Sequence, residues 1–131
     1  MYSEKVSEVL ANPIWFLATA GEEPNVVPMG MKAVLPDGTL AIANNFMNTT
    51  LANVLANGKA AVCAINMANP LECYEVKGTA TYVTEGPVVE QFKAAALEMF
   101  KTDMCKGAVL IKPEKVINMA PGPQNNEEEQ F

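Results

Sequence analysis

Short apolar segments of strand length, each bounded by proline, glycine or asparagine, follow one another through residues 14–119 of this chain. Single helical periods interrupt or precede them at residues 3–12, 48–57 and 85–101, where apolar residues recur every three or four positions. Half of the 131 residues are hydrophobic, which is enough to bury one core. Short strands at this density, interrupted by single helices, favour a small β-barrel with helices at its ends over a parallel α/β sheet.

The expected strands are the segments richest in aromatic, β-branched and small apolar residues: Ile14–Ala20, Asn25–Leu35, Thr39–Ala43, Lys59–Met67, Glu72–Thr84, Gly107–Lys112 and Val116–Met119. Pro28 and Gly30 interrupt the second strand, because a proline donates no ladder hydrogen bond and a glycine packs no side chain. Two interpretations stay open there, a kink in an edge strand or a backbone that faces a ligand. Gly78 marks the position at which a closing sheet would bend, and Pro113 separates the last two strands.

Capping and turn residues set the expected boundaries: Ser3 and Asn48 as N-caps, Pro36-Asp37-Gly38 as a hairpin turn, and Asn57-Gly58 as a helix stop. The helices are expected to face the core with Val6, Val9 and Leu10, with Leu51, Val54 and Leu55, and with Val88 or Val89, Phe92, Ala96 and Met99. Residues 1–120 are expected to form one domain. Residues 121–131, with three consecutive glutamates, are expected to form an acidic, solvated tail.

The charged residues exclude several functions. The chain has no histidine and no arginine, and fifteen acidic residues outnumber nine lysines, for a net charge of −6. Nucleic-acid binding is not expected, because neutralising phosphates needs a basic face. Without histidine, the commonest metal ligand and general base, no metal site is expected and a cofactor would have to supply the chemistry.

The cysteines and the hydropathy pattern predict a protein of the cytoplasm. Cys63, Cys73 and Cys105 show no CxxC spacing, so neither a disulfide framework nor zinc is indicated, and a reducing compartment fits best. No apolar run is long enough to cross a membrane, and no signal peptide is recognisable. Cys63 is expected to be a small buried residue. Tyr74 and Tyr82 have equal parity on one strand, so they are expected to share a face, in the core or at a subunit interface.

The most informative stretch is LAIANNFMNTTLANVLANGKAAV, residues 40–62, a strand, a polar elbow and a helix whose first turn carries Asn48, Thr49 and Thr50. The unpaired amides at a helix N-terminus, together with the positive end of the helix dipole, attract an anion such as a phosphate. The simpler alternative is that Asn48 only caps the helix. Lys32 would reach the same elbow if the second strand passes beside it, and would otherwise be a solvated surface lysine.

Taken together, ATAGEEPNVVPMGMKAVLPDGTLAIANNFMNTTLANVLANGKAAV resembles the pyridoxamine 5′-phosphate oxidase-like proteins, whose fold is the FMN-binding split β-barrel. The order of features carries the resemblance: a Thr-containing strand end, a Pro-containing second strand, a DG turn, a third strand ending in polar residues, and a helix that reads TLANVLAN. It covers residues 5–120. It implies a mainly β (α+β) fold, an antiparallel Greek-key split barrel with short helices at its ends.

The resemblance also implies FMN at a homodimer interface. The matching positions would place Asn48, Thr49 and Thr50 at the phosphate, with Lys32 at or next to the family's basic strand position. The residues that would lie beneath the flavin ring are Val27, Pro28, Met29 and Gly30. The residues that would lie beside it, at the end of the third strand, are Asn44 and Asn45. No catalytic residue is assigned by the match.

This chain departs from the oxidases proper, which have basic residues where Thr49 and Thr50 stand, an arginine on the second strand and a basic C-terminal segment. Vitamin B6 oxidation is therefore not expected. FAD and the deazaflavin F420 remain alternatives as ligands, and haem is disfavoured because no axial histidine exists. The expected function is an FMN oxidoreductase or electron-transfer protein that uses a nicotinamide donor or a redox partner protein. The alternative is a non-catalytic ligand-binding or sensing module.

Overall fold

The computed structural model describes residues 1–131, and its strands form one antiparallel sheet that curls into a split barrel. Along the sheet the order is β2-β1-β5-β6-β7-β4-β3, with β8 paired to β7. The elements are α1 (Glu4–Leu10), β1 (Trp15–Thr19), β2 (Asn25–Met29), β3 (Lys32–Val34), β4 (Leu40–Asn44), α2 (Thr49–Asn57), β5 (Lys59–Ile65), β6 (Cys73–Val83), α3 (Pro87–Phe100), β7 (Gly107–Asn118) and β8 (Glu128–Glu129).

The single second strand that the sequence predicts is two strands in the structure. β2 pairs with β1, β3 pairs with β4, and only Gly30 and Met31 separate them, so this bent segment joins the two ends of the sheet. β2 and β3 pair with different neighbours and not with each other. The barrel is therefore open where the chain bends between these two strands. The interruption at Pro28 and Gly30 therefore marks the split itself.

Two hydrophobic clusters hold the fold together, one inside the barrel and one outside it. The larger one fills the barrel under α1 and includes Trp15, Leu17 and Ile42, none of which is exposed to solvent. The smaller one packs α3, through Val89 and Phe92, against the outer face of β4 and β7. β4 is consequently buried on both faces, and it ends at the point where the chain turns toward α2.

Turn and capping residues act mostly as the sequence predicts. The Ser3 side chain accepts a hydrogen bond from the Val6 N–H at 3.2 Å and so caps α1. Gly38 has a φ of 89° in the hairpin turn, and Gly58 ends α2 at a φ of 69°, two left-handed conformations that favour glycine. Gly78 lies at a register shift where a Cβ would collide with the Lys112 carbonyl oxygen, so the bend predicted there is confirmed.

Several expectations about strands and cores are wrong. Pro113 does not end a strand, because β7 runs through it at the bulge opposite Gly78, where one extra residue relieves the ladder. Leu55 and Met99 are 66% and 67% exposed and belong to neither core cluster. The outward-facing Cys63 is only half-buried.

The remaining differences concern the tyrosines and the C-terminal segment. Tyr74 and Tyr82 share a face, as their parity predicts, and that face packs on the barrel core. The segment after Pro121 is mostly exposed, yet Glu128 and Glu129 pair with β7, and the Phe131 ring stacks on Tyr2 with centroids 5.9 Å apart. The acidic tail is thus held against the domain.

Candidate functional site

A cavity of about 870 Å³ lies along the split between β2 and α3. Ligand-binding cavities commonly measure about 300–1,000 Å³, so this volume is within the range of a ligand site. Nine of the ten residues that the sequence nominates line it: Val27, Pro28, Met29, Gly30, Lys32, Asn45, Asn48, Thr49 and Thr50. The tenth, Asn44, does not reach the cavity.

Asn44 instead fixes the elbow, which we define as residues 44–48. It is 1% exposed, donates from Nδ2 to the Tyr82 hydroxyl at 2.8 Å, and accepts from the Met47 N–H at 2.9 Å. These two bonds tie the turn after β4 to the barrel wall. Asn44 therefore positions the residues that follow it.

Asn45, the next residue of the elbow, lines the cavity and carries an unsatisfied polar atom. Its Oδ1 is buried and has no hydrogen-bond partner, while its Nδ2 makes only a long 3.5 Å contact with the Met31 sulfur. Buried polar atoms in folded proteins nearly always have a partner. A donor from a bound molecule or a water would satisfy this oxygen.

The N-terminus of α2 opens into the same cavity without a cap. Asn48 occupies the N-cap position with φ −131° and ψ −84°, but its side chain makes no capping bond. The first bond of the helix runs from the Ala52 N–H to the Asn48 carbonyl, which leaves the amides of Thr49, Thr50 and Leu51 without partners inside the helix. The first turn contains no acidic residue, so its positive dipole end is free to attract an anion.

The two threonines of that turn have different surroundings. Thr49 is exposed, whereas Thr50 is 2% exposed and its Oγ1 accepts from Asn25 Nδ2 at 2.9 Å. Asn25 also donates to Thr19 Oγ1, which accepts a second bond from Asn53. This network pins the start of α2 to β1 and β2. Asn25 lines the cavity but was not nominated from the sequence, where a polar residue at a strand start gives no distinguishing signal.

Lys32 does not extend to the elbow. Its Nζ lies 4.6 Å from the centroid of the Trp15 ring and 3.5 Å from the Leu10 carbonyl oxygen. Burial lowers the pKa of this ammonium group. The register explains the orientation, because Lys32 pairs with Ile42, whose side chain points into the barrel. Lys32 thus supplies no cation to the helix start in this structure.

The opposite end of the cavity is apolar and was missed by the sequence reasoning. It is built by one face of α3 and by the elbow: Gln91, Phe92, Ala95, Met99, Phe100 and Phe46. The rings of Phe46 and Phe100 meet edge to face, with centroids 5.6 Å apart and planes at 84°. A usable signal existed in the sequence, since the end of α3 carries more large apolar residues than one core stripe requires.

Gly30 and Pro28 need no special packing reason for their positions. A Cβ at Gly30 would make only an ordinary 3.7 Å contact with Ile14, so the glycine is not forced by crowding. Pro28 is exposed on the edge strand β2. A proline is tolerated there because no further strand lies beside β2 to accept a hydrogen bond from a backbone N–H. Both residues line the cavity. The two interpretations of this interruption, a kink in an edge strand and a backbone that faces a ligand, are therefore compatible.

No group of three or more cysteine, aspartate or glutamate side chains is arranged to hold a metal ion. All three cysteines are free, and burial, followed by nearby Cys73 and Glu75, raises the pKa of the Cys63 thiol. None of the helices has the length and apolar character needed to pass through a lipid bilayer.

Comparison with known protein families gives one match across most of the chain. A family model described as "Pyridoxamine 5′-phosphate oxidase" matches residues 2–122. An uncharacterized protein of Methanocaldococcus jannaschii is 38% identical over 128 residues, covering 92% of this chain and 83% of that protein.

Solved structures share the fold at low sequence identity. HupZ from Group A Streptococcus superposes with a TM-score of 0.82 at 23% identity, covering 99% of this chain and 100% of its own. An FMN-binding protein from Syntrophomonas wolfei gives a TM-score of 0.75 at 17% identity, with coverage of 91% and 88%. An F420 reductase gives 0.69 at 18% identity, with coverage of 88% and 98%. These likenesses establish the split-barrel fold.

Proposed function

This chain belongs to the pyridoxamine 5′-phosphate oxidase family, and we propose that it is a flavoprotein that holds FMN in the cavity along the barrel split. The uncapped start of α2 is the observation that carries the proposal. Three free amides and no acidic neighbour suit a phosphate. The FMN-binding protein of the same fold adds support.

The residues fit a flavin in chemistry as well as in space. The amides of Thr49, Thr50 and Leu51 would hold the phosphate, and the unsatisfied Asn45 Oδ1 would accept from a ring N–H. Val27, Pro28 and Met29 supply an apolar wall for the ring. When bound, the flavin would supply the electron chemistry that a chain without histidine lacks, and the protein would orient it and exclude water.

We further propose that the FMN site lies at a homodimer interface. The outer face of the β2-β1-β5 region is apolar, and it carries Val26, Pro28, Phe16, Ala18, Ala61 and Cys63 in register. Val26 and Phe16 are 64% and 42% exposed there. Pro28 belongs both to this face and to the cavity wall, so a second copy seated on the face would border the flavin. The outward side of β5, which carries Ala61 and Cys63, would lie under that second copy.

The proposed activity is electron transfer from a nicotinamide donor, or exchange of electrons with a redox partner protein. The three free cysteines support a reducing compartment, the cytoplasm. The F420 reductase of the same fold makes this deazaflavin the specific alternative ligand.

Flavin titration tests the proposal. The purified protein is expected to be yellow, and the protein stripped of ligand is expected to quench FMN fluorescence at one equivalent per chain. Sedimentation should give twice the 14.1 kDa chain mass. If the protein is colourless and binds F420 but not FMN, then F420 is the ligand and the FMN proposal is wrong. Bound FMN that no nicotinamide donor reduces would favour a redox partner protein or a sensing module.

A further inference from the structure

Asn25, at the polar end of the split cavity, uses both of its amide hydrogens on threonine oxygens. Its Nδ2 donates to Thr19 Oγ1 at 3.0 Å and to Thr50 Oγ1 at 2.9 Å. Both threonines are buried, Thr19 at 5% and Thr50 at 2% exposure. Because an amide nitrogen carries two hydrogens, each threonine oxygen receives one of them. The Asn25 side chain is therefore held with its nitrogen against two buried hydroxyls.

The Thr50 hydroxyl is left with an unused hydrogen as a result. A hydroxyl donates one hydrogen bond, and because Thr50 Oγ1 accepts from Asn25, its own hydrogen has to point away from that amide. The structure gives this hydrogen no acceptor, since the only side-chain hydrogen bond of Thr50 is the one it accepts. Buried polar groups nearly always have a partner. Thr50 lines the cavity, so a bound molecule can supply the acceptor.

The backbone at the start of α2 offers donors as well. The amides of Thr49, Thr50 and Leu51 have no partner inside the helix, and the first turn contains no acidic residue. The Thr50 hydroxyl adds one more donor to these three. A fully ionised phosphate suits such a set, because its oxygens only accept hydrogen bonds.

We propose, on the premise of the FMN function above, that Asn25 is a positioning residue that fixes the Thr50 hydroxyl as a donor and so makes the start of α2 selective for a fully ionised phosphate. Asn25 acts through Thr50 and needs no contact with the ligand. A phosphate that carries a proton would bring an O–H group toward donors, where that hydrogen finds no acceptor. The site thus distinguishes two ionisation states of the same ligand.

The protein itself contributes no titrating group to this end of the cavity. The side chains that β1, β2, the elbow and α2 bring together there are uncharged: Thr19, Asn25, Asn48, Thr49, Thr50 and Asn53. α3 lines the cavity with uncharged residues only, and the one titratable lining residue, Lys32, has its ammonium group on Trp15. A phosphate monoester takes up its second proton at a pH of about 6. A change in affinity near that pH should therefore come from the ligand.

Titrations of the stripped wild-type protein with FMN and with riboflavin, followed by flavin fluorescence, test this inference first. We expect FMN affinity to be about tenfold lower at pH 5 than at pH 7, because only about a tenth of the phosphate is then fully ionised. Riboflavin has the same ring and no phosphate, so its affinity should be the same at both values. An FMN affinity that does not change with pH would overturn the inference.

Asn25→Ala tests the positioning role. The Thr50 oxygen is then free to accept from a protonated phosphate, so the loss of FMN affinity between pH 7 and pH 5 should become smaller than in the wild type. Asn53→Ala is the matched control, because it breaks another bond of the same network, from Asn53 Nδ2 to Thr19 Oγ1, and leaves the Asn25–Thr50 bond intact. This control should keep the full dependence on pH.

Thr50→Val tests the donor itself. It removes the hydroxyl and keeps the shape of the side chain, so it should weaken FMN about tenfold at pH 7 and leave riboflavin unchanged. Thr50→Ser keeps a hydroxyl and should restore FMN affinity. Far-ultraviolet circular dichroism checks the fold of every variant. If Asn25→Ala does not fold, the two Thr50 variants and the wild-type profile decide the outcome.

A pH dependence that is equally steep in Asn25→Ala, or equally shallow in Asn53→Ala, would overturn the role of Asn25. FMN affinity that is unchanged in Thr50→Val would overturn the donor. FMN and riboflavin that bind equally well at every pH would overturn the inference and leave a flavin site in the cavity. Absence of binding by both flavins would overturn the FMN proposal as well.

Discussion

The closed side of the barrel and the split side differ in how their side chains are packed and hydrogen-bonded. The closed side, β1, β5, β6 and β7 beneath α1, has an interior filled by residues such as Leu17 and Val76, neither of which is exposed. The split side, which comprises β2, the elbow, the start of α2 and the end of α3, contains an unpartnered Asn45 oxygen, an uncapped helix and solvent-exposed Phe46. This difference is what we expect if the closed side stabilises the fold and the split side is the ligand site that we propose.

Truncating the closed side should give the largest effect. Leu17→Ala removes a buried side chain between β1 and the barrel core, and should reduce the free energy of unfolding by about 2–5 kcal/mol. Urea unfolding followed by far-ultraviolet circular dichroism measures this. Leu55→Ala on the exposed face of α2 is the control and should change it by less than about 0.5 kcal/mol. Similar losses in both variants would remove the distinction between sealed and open regions.

Asn44 connects the two sides, and its loss should affect both. Asn44→Ala leaves the Tyr82 hydroxyl and the Met47 N–H without their partner and should cost about 1–3 kcal/mol of stability. FMN affinity should fall as well, because the elbow loses its anchor. Tyr82→Phe breaks only one of the two bonds, so it should show a smaller loss of both. A variant that binds FMN like the wild type would show that the elbow needs no such support.

Thr49→Glu should separate function from stability. A carboxylate in the first turn of α2 interacts favourably with the helix dipole and should raise stability by about 0.3–1 kcal/mol. The same charge would repel a phosphate bound to the helix amides and should weaken FMN about tenfold or more. Thr49→Gln, of similar size and no charge, is the matched control. Unchanged FMN binding in the glutamate variant would place the phosphate elsewhere.

The smallest expected effect is a pH dependence on the closed side. Burial, followed by the charge of Asp37, raises the pKa of Tyr2 to about 12, and its hydroxyl donates to the Gly38 carbonyl oxygen. A raised folded-state pKa stabilises the protein fully below the ordinary value of 10.0, and this contribution disappears as pH rises from 10.0 to about 12. Because Tyr2 is only partly buried, the contribution should be about 1 kcal/mol.

Unfolding experiments on Tyr2→Phe as a function of pH measure this contribution. The wild type should be more stable than the variant at neutral pH, and the two should converge above pH 12. A constant difference between them at every pH would contradict the assignment to hydroxyl ionisation. FMN affinity at neutral pH should be the same in both, since Tyr2 does not line the split cavity.

The closed side could be predicted from the sequence because local patterns determine it. Runs of aromatic, β-branched and small apolar residues identified β1 and β6, Ser3 and Gly58 marked helix ends, and Gly78 located the bend. Where a prediction from local pattern was wrong, packing between residues distant in the sequence determined the structure instead. Pro113 continues a strand because it lies opposite a bulge, and Met99 is exposed because α3 already fills its contact with β4 through Val89 and Phe92.

For the split side, the sequence predicted which residues line the cavity better than it predicted where their side chains point. Nine nominated residues meet in one cavity, because a strand end, an elbow and a helix start that follow one another in sequence stay close in space. Side-chain direction was not predictable from sequence alone. Lys32 turns toward Trp15, Asn44 points into the wall, and Thr50 is buried on Asn25, each because of a partner distant in the chain. The contribution of α3 came from residues more than forty positions away.

The most direct test follows the backbone amides at the start of α2 by nuclear magnetic resonance while the isotope-labelled protein is titrated with FMN and, separately, with riboflavin. We predict that the amide resonances of Thr49, Thr50 and Leu51 shift strongly with FMN and little with riboflavin, because only FMN carries the phosphate. Met29 and Asn45 should shift with both ligands. Identical shifts at the helix start with the two ligands, or none with FMN, would contradict a phosphate held by these amides.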